Sequence, residues 1–404
     1  MSFKEWKKYK LGDIVDDVAM GPFGSNIKTD NFISSGVPVI RGSNLNEGGL
    51  ENNKFVYISE SKANSLKRSL AFPDDLVFTH RGTLGQVLII PHGKYPKYLV
   101  SQSQMKLTVN KKILDPKFLY YFFRSKIGQY ELLKNSSQVG VPAIASPTKS
   151  LKEIDITIPL MLTQQKIVAI LSSLDDKIEL NRQTNKTLEA IAQTLFKEMC
   201  VPKGNELPFG WKDGVLFDIG KLIGGGTPKT DVNEYWENGT INWISAKDIT
   251  PNNGTFITQT EKKITDLGLK NSSAKLVKEL STIISARGTV GNVCIISKQM
   301  TISQSNYALT SILPNTEYYL FYVVLGLVTE LKQRAYGTIF DTITTNSLAD
   351  LKIIVPPVEV LMDFNKVITP FFEKIKTNIL EVITLTNLRD SLLPKLMKGE
   401  FEIQ

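Results

Sequence analysis

The sequence predicts an α+β protein: two strand-rich domains in tandem, separated by two long antiparallel coiled-coil helices and related by internal pseudo-two-fold symmetry. Three observations predict it. The stretch RGTLGQV at Arg81 returns as RGTVGNV at Arg287, 206 positions later. Other pairs follow in the same order, at offsets that drift from 205 to 197: WKKYKLGDI at Trp6 with WKDGVLFDIG at Trp211, SQSQMKL at Ser101 with SQSNYAL at Ser303, and LKEIDITIP at Leu151 with LADLKIIVPP at Leu348. Finally, the tail of each copy carries apolar residues at steps of four and three, the seam of a coiled coil. The period is far above the roughly 20 to 50 residues of a solenoid, so each copy is expected to be a domain in its own right.

The elements follow in order. In copy one, VPVIRGSNL, DDLVFTHRG and GQVLIIP are short β-type runs between Gly, Pro and Asn; TINWISAKDI, STIISARG and NVCIIS take the same places in copy two. A helix is expected around Pro116 to Leu133 and another around Tyr318 to Tyr336. The run YYLFYVVLGLV from Tyr318 has 11 residues, too short to span a bilayer, and reads as a buried helix. The domain boundaries are placed at 1–160 for the first strand-rich domain, 161–200 for a central helix, 201–357 for the second domain and 358–404 for a C-terminal helix.

The seam of the central helix runs Ile167, Leu171, Leu174, Ile178, Asn181, Asn185, Leu188, Ala192, Leu195, Met199. Adding 197 gives Phe364, Ile368, Phe371, Ile375, Asn378, Val382, Leu385, Arg389, Leu392, Leu396. Asn181 and Asn378 stand alike, as register-setting polar residues do. Each helix alone would expose its seam, so the two are expected to pair within the chain, unless each merely packs on its own domain. Pro370 and Pro394 are expected to bend the second helix or mark its ends.

Composition narrows the function. There are 48 Lys plus Arg against 40 Asp plus Glu, a net charge of +8 that suits a polyanion but is also compatible with simple solubility. Two cysteines, Cys200 and Cys294, and a charged start, MSFKEWKKYK, point to a reducing cytoplasm rather than secretion. With only His80 and His92, a zinc site or a Cys-His nucleophile has little material. GGGTPK at Gly224 lacks the Gly-Lys-Ser/Thr ending of a phosphate loop and reads as a turn before a strand. The lone Pro356-Pro357 follows an apolar strand and sits between valines, unlike an adenine-gripping loop. No catalytic constellation emerges. Two similar basic domains on a paired helix of ~50 Å fit a ruler on DNA, with half-sites about one helical turn apart and an unread middle.

These features together resemble the specificity subunit of type I restriction-modification systems. GPFGSNIKTDNFISSGVPVIRGSNL in copy one and IGGGTPKTDVNEYWENGTINWISAKDI in copy two are similar to openings of that family's target-recognition domains. IPLMLTQQKIVAILSSLDDKIELNRQTNKTLEAIAQTLFKEM is similar to its central helix. The likeness covers essentially the whole chain. It implies a non-catalytic, cytoplasmic subunit that binds double-stranded DNA, two modification subunits that methylate adenine with S-adenosylmethionine, and restriction subunits that use ATP and Mg. It implies no cofactor or metal in this chain and no membrane. The outer faces of the helices, with Gln165, Lys177, Arg182, Lys186 and Glu189, would dock the modification subunits or simply face solvent.

No base-reading residue carries over by name, so the DNA-binding candidates come from chemistry. Arg81 and Arg287 can fork onto guanine or phosphate, Gly82 and Gly288 allow close backbone approach, and Thr83 and Thr289 can donate to an oxygen. The alternative is a structural turn around a buried arginine. Gln102, Gln104, Gln304 and Asn306 carry amides suited to adenine edges, unless their strands use them to hold the fold. Lys28, Arg41, Lys229, Lys247, Arg334 and Tyr336 are phosphate candidates. The loops NSSQVGVPAIAS from Asn135 and YGTIFDTITTNS from Tyr336 are expected near the groove. The competing reading is a coiled-coil interaction scaffold with no sequence-specific DNA readout; a self-contained modifying enzyme would need a cofactor or metal.

Overall fold

The computed structural model describes residues 6–46, 49–50, 55–137, 140–204, 206–249, 254–335 and 342–400. It contains two compact units, Met1–Glu179 with Thr384–Gln404, and Leu180–Ile383. Among the described residues the helices of eight or more residues are α1 (Pro116–Arg124), α2 (Lys126–Leu133), α4 (Glu317–Ala335) and the two long ones, α3 (Met161–Cys200) and α5 (Val358–Met397).

Unit 1 holds two four-stranded sheets. One is antiparallel, in the order Val15–Met20, Gln104–Val109, Leu76–Thr79, Val87–Ile89. The other runs Val56–Ile58, Val37–Ile40, Tyr98–Val100, Leu70–Ala71, with its central pair parallel. Unit 2 repeats both. Gly220–Gly224, Asn306–Ser311, Thr282–Ser285 and Val293–Ile296 form the first sheet, extended by Phe256–Ile257. Lys262–Ile264, Ile241–Ile244, Met300–Ile302 and Leu276–Val277 form the second, again with a parallel central pair. In each unit the entry strand pairs with the strand just before a long helix: Lys7–Lys10 with Asp155–Ile158, and Lys212–Val215 with Lys352–Val355. That pairing joins the start of a copy to its end.

The expected helix around Pro116 to Leu133 is two helices. Ser125 adopts an extended backbone and caps the second by accepting from the Gly128 N–H. The turn is so sharp that a Cβ on Gly128 would sit 2.0 Å from the Phe122 carbonyl oxygen. The apolar run of copy two is the buried helix α4, with Tyr319, Leu320 and Val324 at its heart.

Within unit 1, the first half of α3 packs on the last half of α5, joining Ile167, Val168 and Leu171 to Leu393, Leu396 and Met397 in one core. Within unit 2, the last half of α3 packs on the first half of α5, through Ala192, Leu195 and Phe196 with Phe364, Ile368 and Phe372. In unit 2 Asn181 meets Glu381 while Asn185 meets Asn378, so residue numbers rise along one helix as they fall along the other and the pairing is antiparallel. Leu171, Ile178, Ile368 and Ile375 are buried, while Leu174, Leu188, Leu195, Phe371, Leu385 and Leu392 are half-buried. Neither proline ends the second helix: α5 continues through Pro370 and Pro394. Next to Pro370 the fully buried ring is Phe372, set against Tyr318, Phe321 and Tyr322, and not the seam residue Phe371.

The seam asparagines are buried but do not meet each other. Asn181 donates to the Glu381 carboxylate at 2.9 Å, and Asn378 donates to Asn185 Oδ1 at 2.8 Å. Each therefore specifies a partner on the opposite helix, which is what a buried polar group in a seam does for register.

Candidate nucleic-acid interface

Each Arg-Gly-Thr motif is the tip of a β-hairpin. The chain turns there with φ of 96° at Gly82 and 85° at Gly85 in unit 1, and 81° at Gly288 and 82° at Gly291 in unit 2. These left-handed values are why both positions of each turn are glycine. A Cβ on Gly82 or Gly288 would meet nothing within 4 Å, so the outer side of the turn is open to an approaching backbone. Arg81, Thr83, Arg287 and Thr289 are exposed, which removes the buried-arginine alternative. Among the described residues neither guanidinium has a hydrogen-bond or ion-pair partner.

Three further loops converge on each turn, two of them through matching backbone hydrogen bonds and the third by close approach of a glycine. The residue before the arginine donates to the serine-glutamine turn: His80 N–H to the Ser103 carbonyl at 3.0 Å, Ala286 N–H to the Ser305 carbonyl at 2.8 Å. That turn is tied in turn to the end of the parallel strand, Ser101 to Ile40 at 2.9 Å and Ser303 to Ile244 at 2.8 Å. The glycine-rich opening passes so close that a Cβ on Gly21 would stand 1.8 Å from the Ser101 carbonyl oxygen, and one on Gly225 2.0 Å from that of Ser303. Gly21 donates to the Gln104 carbonyl, and Gly226 to that of Ile302, both at 2.9 Å. The later loop lies alongside as well: Ile144 donates to the His80 carbonyl at 2.9 Å, and Ile343 to that of Ala286 at 3.0 Å.

The candidate amides separate into two kinds. Gln102 and Gln304 are exposed at the tips of their turns. Gln104 and Asn306 are not base readers in this fold, because both are buried and engaged. The Gln104 amide bonds Ser101 and Thr79, and Asn306 donates to the Ile244 carbonyl and to Ser303 Oγ, both at 3.1 Å. They hold the turns that present their exposed neighbours.

Lys28, Lys229 and Lys247 are exposed on these loops. Arg41 is half-buried, in a turn whose N–H bonds Asn44 Oδ1 at 3.0 Å; Ser245 and Asp248 build the same turn in unit 2 at 2.8 Å. Arg334 lies near the end of α4, away from the hairpin tips in sequence. Tyr336 and the first half of the loop that starts there, residues 336–341, lie outside the described residues, as do Gln138 and Val139 of the first loop. On the outer helix faces Gln165, Arg182 and Lys186 are exposed, but Lys177 is half-buried and Glu189 accepts a hydrogen bond from Thr255.

Two residues missed at first are the sixth letters of the repeated motif. Gln86 donates to the Leu45 carbonyl at 3.0 Å and Asn292 to that of Ile249 at 2.9 Å. Each amide staples its hairpin to the loop carrying Arg41 or Lys247. The exchange of one amide for another inside an otherwise repeated motif was the available signal.

Only unit 1 has a histidine behind its hairpin. His80 is 7% exposed and shares a 3.0 Å hydrogen bond with the Gln102 carbonyl. Burial depresses its pKa below the ordinary histidine range, with the Arg81 charge adding to this. The folded chain thus takes up the His80 proton at lower pH than the unfolded chain, which gains it near pH ~6.5, so stability complete above that pH is lost as pH falls toward the lowered folded value, by up to ~1.4 kcal/mol per pH unit. In hydrogen exchange of residues 76–82, protection is expected to fall between pH 7.5 and 5.5 more steeply in the wild type than in His80→Ala, which copies Ala286. Equal slopes would refute the linkage.

Both cysteines are buried free thiols, Cys200 pushed up to about 12 by burial, and so are poor nucleophiles. Among the described residues no cluster of His, Cys, Asp and Glu could hold a metal ion, and no helix is long and apolar enough to cross a membrane.

Comparison with known proteins places this arrangement. A family model described as type I restriction modification DNA specificity domain matches residues 3–190 and again 208–385. The HindI specificity subunit of Haemophilus influenzae is 28% identical, with 98% of this chain and 99% of that one covered. The MjaIX specificity subunit of Methanocaldococcus jannaschii is 29% identical over 99% and 94%. In fold, the crystal structure of a type I restriction-modification S subunit from M. genitalium superposes with a TM-score of 0.65 at 16% identity, covering 99% of this chain and 96% of that one.

Proposed function

Because the chain belongs to the family of type I restriction-modification DNA specificity domains, we propose that it gives a type I complex its sequence recognition, each unit reading one half of a bipartite, non-palindromic duplex target. The observation that supports this most is the duplicated loop cluster, in which arginine, threonine and glutamine without structural duties stand at matching positions of both units. Phosphate contacts from Lys28, Lys229 and Lys247 would position the duplex, and base contacts from Arg81, Gln102, Arg287 and Gln304 would specify it. The two clusters differ in the surrounding loops, so the two half-sites differ in sequence.

In this reading the chain performs no chemistry. Modification subunits dock on the outer helix faces, at residues such as Arg182 and Lys186, and bring S-adenosylmethionine; restriction subunits bring ATP and Mg; the assembly works in the cytoplasm. The test is adenine methylation mapped by long-read sequencing, with and without the chain, in the presence of active modification subunits. A bipartite motif that disappears on deletion, and changes in one half when residues 1–160 are exchanged, is the expected result. Unchanged methylation would favour the interaction-scaffold reading.

A further inference from the structure

We propose that Phe23 lays its ring against the face of a nucleobase in the half-site read by unit 1, a contact without a counterpart in unit 2; this rests on the DNA-reading function above. Phe23 is 71% exposed, yet its backbone is held in place. Gly21, two residues before it, is locked against the Ser101–Gln104 turn. Asn26 donates to the Phe23 carbonyl at 2.8 Å, closing a short 3-10 turn over Gly24–Asn26. A Cβ on Gly24 would stand 2.8 Å from Oε1 of Gln102, so the backbone beside Phe23 lies against the exposed glutamine. Through Ser103, the same turn accepts from the Arg81 N–H at 3.3 Å.

Phe23 thus belongs to a segment whose backbone lies against the exposed Gln102, on the turn that also holds the Arg81 backbone, with exposed Asn26, Lys28, Thr29 and Asp30 following in the chain. That company suits a charged duplex better than an apolar groove on a protein. Every base offers a π-face, and an aromatic ring on an ordered backbone loses little freedom when it stacks or wedges between bases. The corresponding stretch of unit 2 offers no such ring. There Thr227 is half-buried between buried Gly226 and Pro228.

The test uses the full chain assembled with its modification subunits, on duplexes carrying the mapped motif with 2-aminopurine placed singly through both half-sites. Phe23→Ala is expected to weaken binding about tenfold to hundredfold. It is also expected to abolish a fluorescence change at one position of the first half-site, while signals in the second stay the same. Phe23→Trp is expected to keep both, and Phe23→Leu to fall between. Wild-type affinity and fluorescence in Phe23→Ala would overturn the inference and leave DNA reading standing. Equal losses in all three variants would overturn stacking in favour of a shape requirement at this position. Failure of the wild-type assembly to prefer the motif would overturn the function itself.

Discussion

Replacing Asp175 by alanine is expected to destabilise unit 1 by about 2 to 3 kcal/mol, the discounted cost of breaking a mostly buried ion pair. Asp175 on α3 receives Arg389 Nη1 from α5 at 2.7 Å and the Tyr121 hydroxyl from α1 at 2.8 Å, with Arg124 Nη1 at 3.4 Å. One carboxylate therefore joins the recognition domain to both long helices. Its removal would leave the Tyr121 hydroxyl, whose pKa burial and the carboxylate both raise, without its acceptor.

Unit 2 solves the same junction without charge. At the 197-residue offset Asp175 corresponds to Phe372 and Arg389 to Ala192, both fully buried. Tyr322, six residues past Thr316 as Tyr121 is past Asp115, lies 6.0 Å from Phe372 between ring centroids. The double variant Asp175→Phe with Arg389→Ala copies this chemistry into unit 1. It is expected to recover most of the stability lost in Asp175→Ala, because a large and a small apolar residue can replace a buried pair nearly neutrally. Thermal unfolding of the three proteins decides it. A double variant no better than the single one would show that the ion pair, and not the filling of the junction, sustains unit 1.

Arg287→Ala is expected to cost the assembly about tenfold to hundredfold in affinity for its target, the worth of one bidentate contact to a guanine. Discrimination should relax in the second half-site only. Arg81→Ala should do the same for the first half-site, since each arginine belongs to its own loop cluster. The fold should be untouched, because both side chains are exposed and the turns are shaped by their glycines. Competition binding with duplexes mutated in either half distinguishes the cases. A uniform loss across all sequences would make the arginine a phosphate contact. No loss would remove the hairpin tips from the interface.

The site and the fold were legible to different depths. The Arg-Gly-Thr turns could be found because a left-handed backbone admits little but glycine, so the motif survives duplication almost letter for letter. Gln102 and Gln104 could not be told apart, since two amides two residues apart carry the same chemistry. Only the placement of Gln104 at the start of the strand Gln104–Val109, bonded to Thr79 on the neighbouring strand, makes it internal. Asn306 follows the same rule in unit 2. The break at Ser125 was hidden as well, because a continuous apolar pattern does not show where a cap will interrupt it.

Local periodicity and repetition are enough to specify two copies of one domain, the strands between glycine-rich turns, and two helices whose heptads demand a partner. Which residues meet across long separations depends on how those elements pack. Asp175 and Arg389 are 214 positions apart, and they meet because within unit 1 the first half of α3 packs on the last half of α5. Packing also decided that Phe372 rather than Phe371 fills the core beside α4. Neighbouring helical positions point about 100° apart, and only the surface they pack against selects between them.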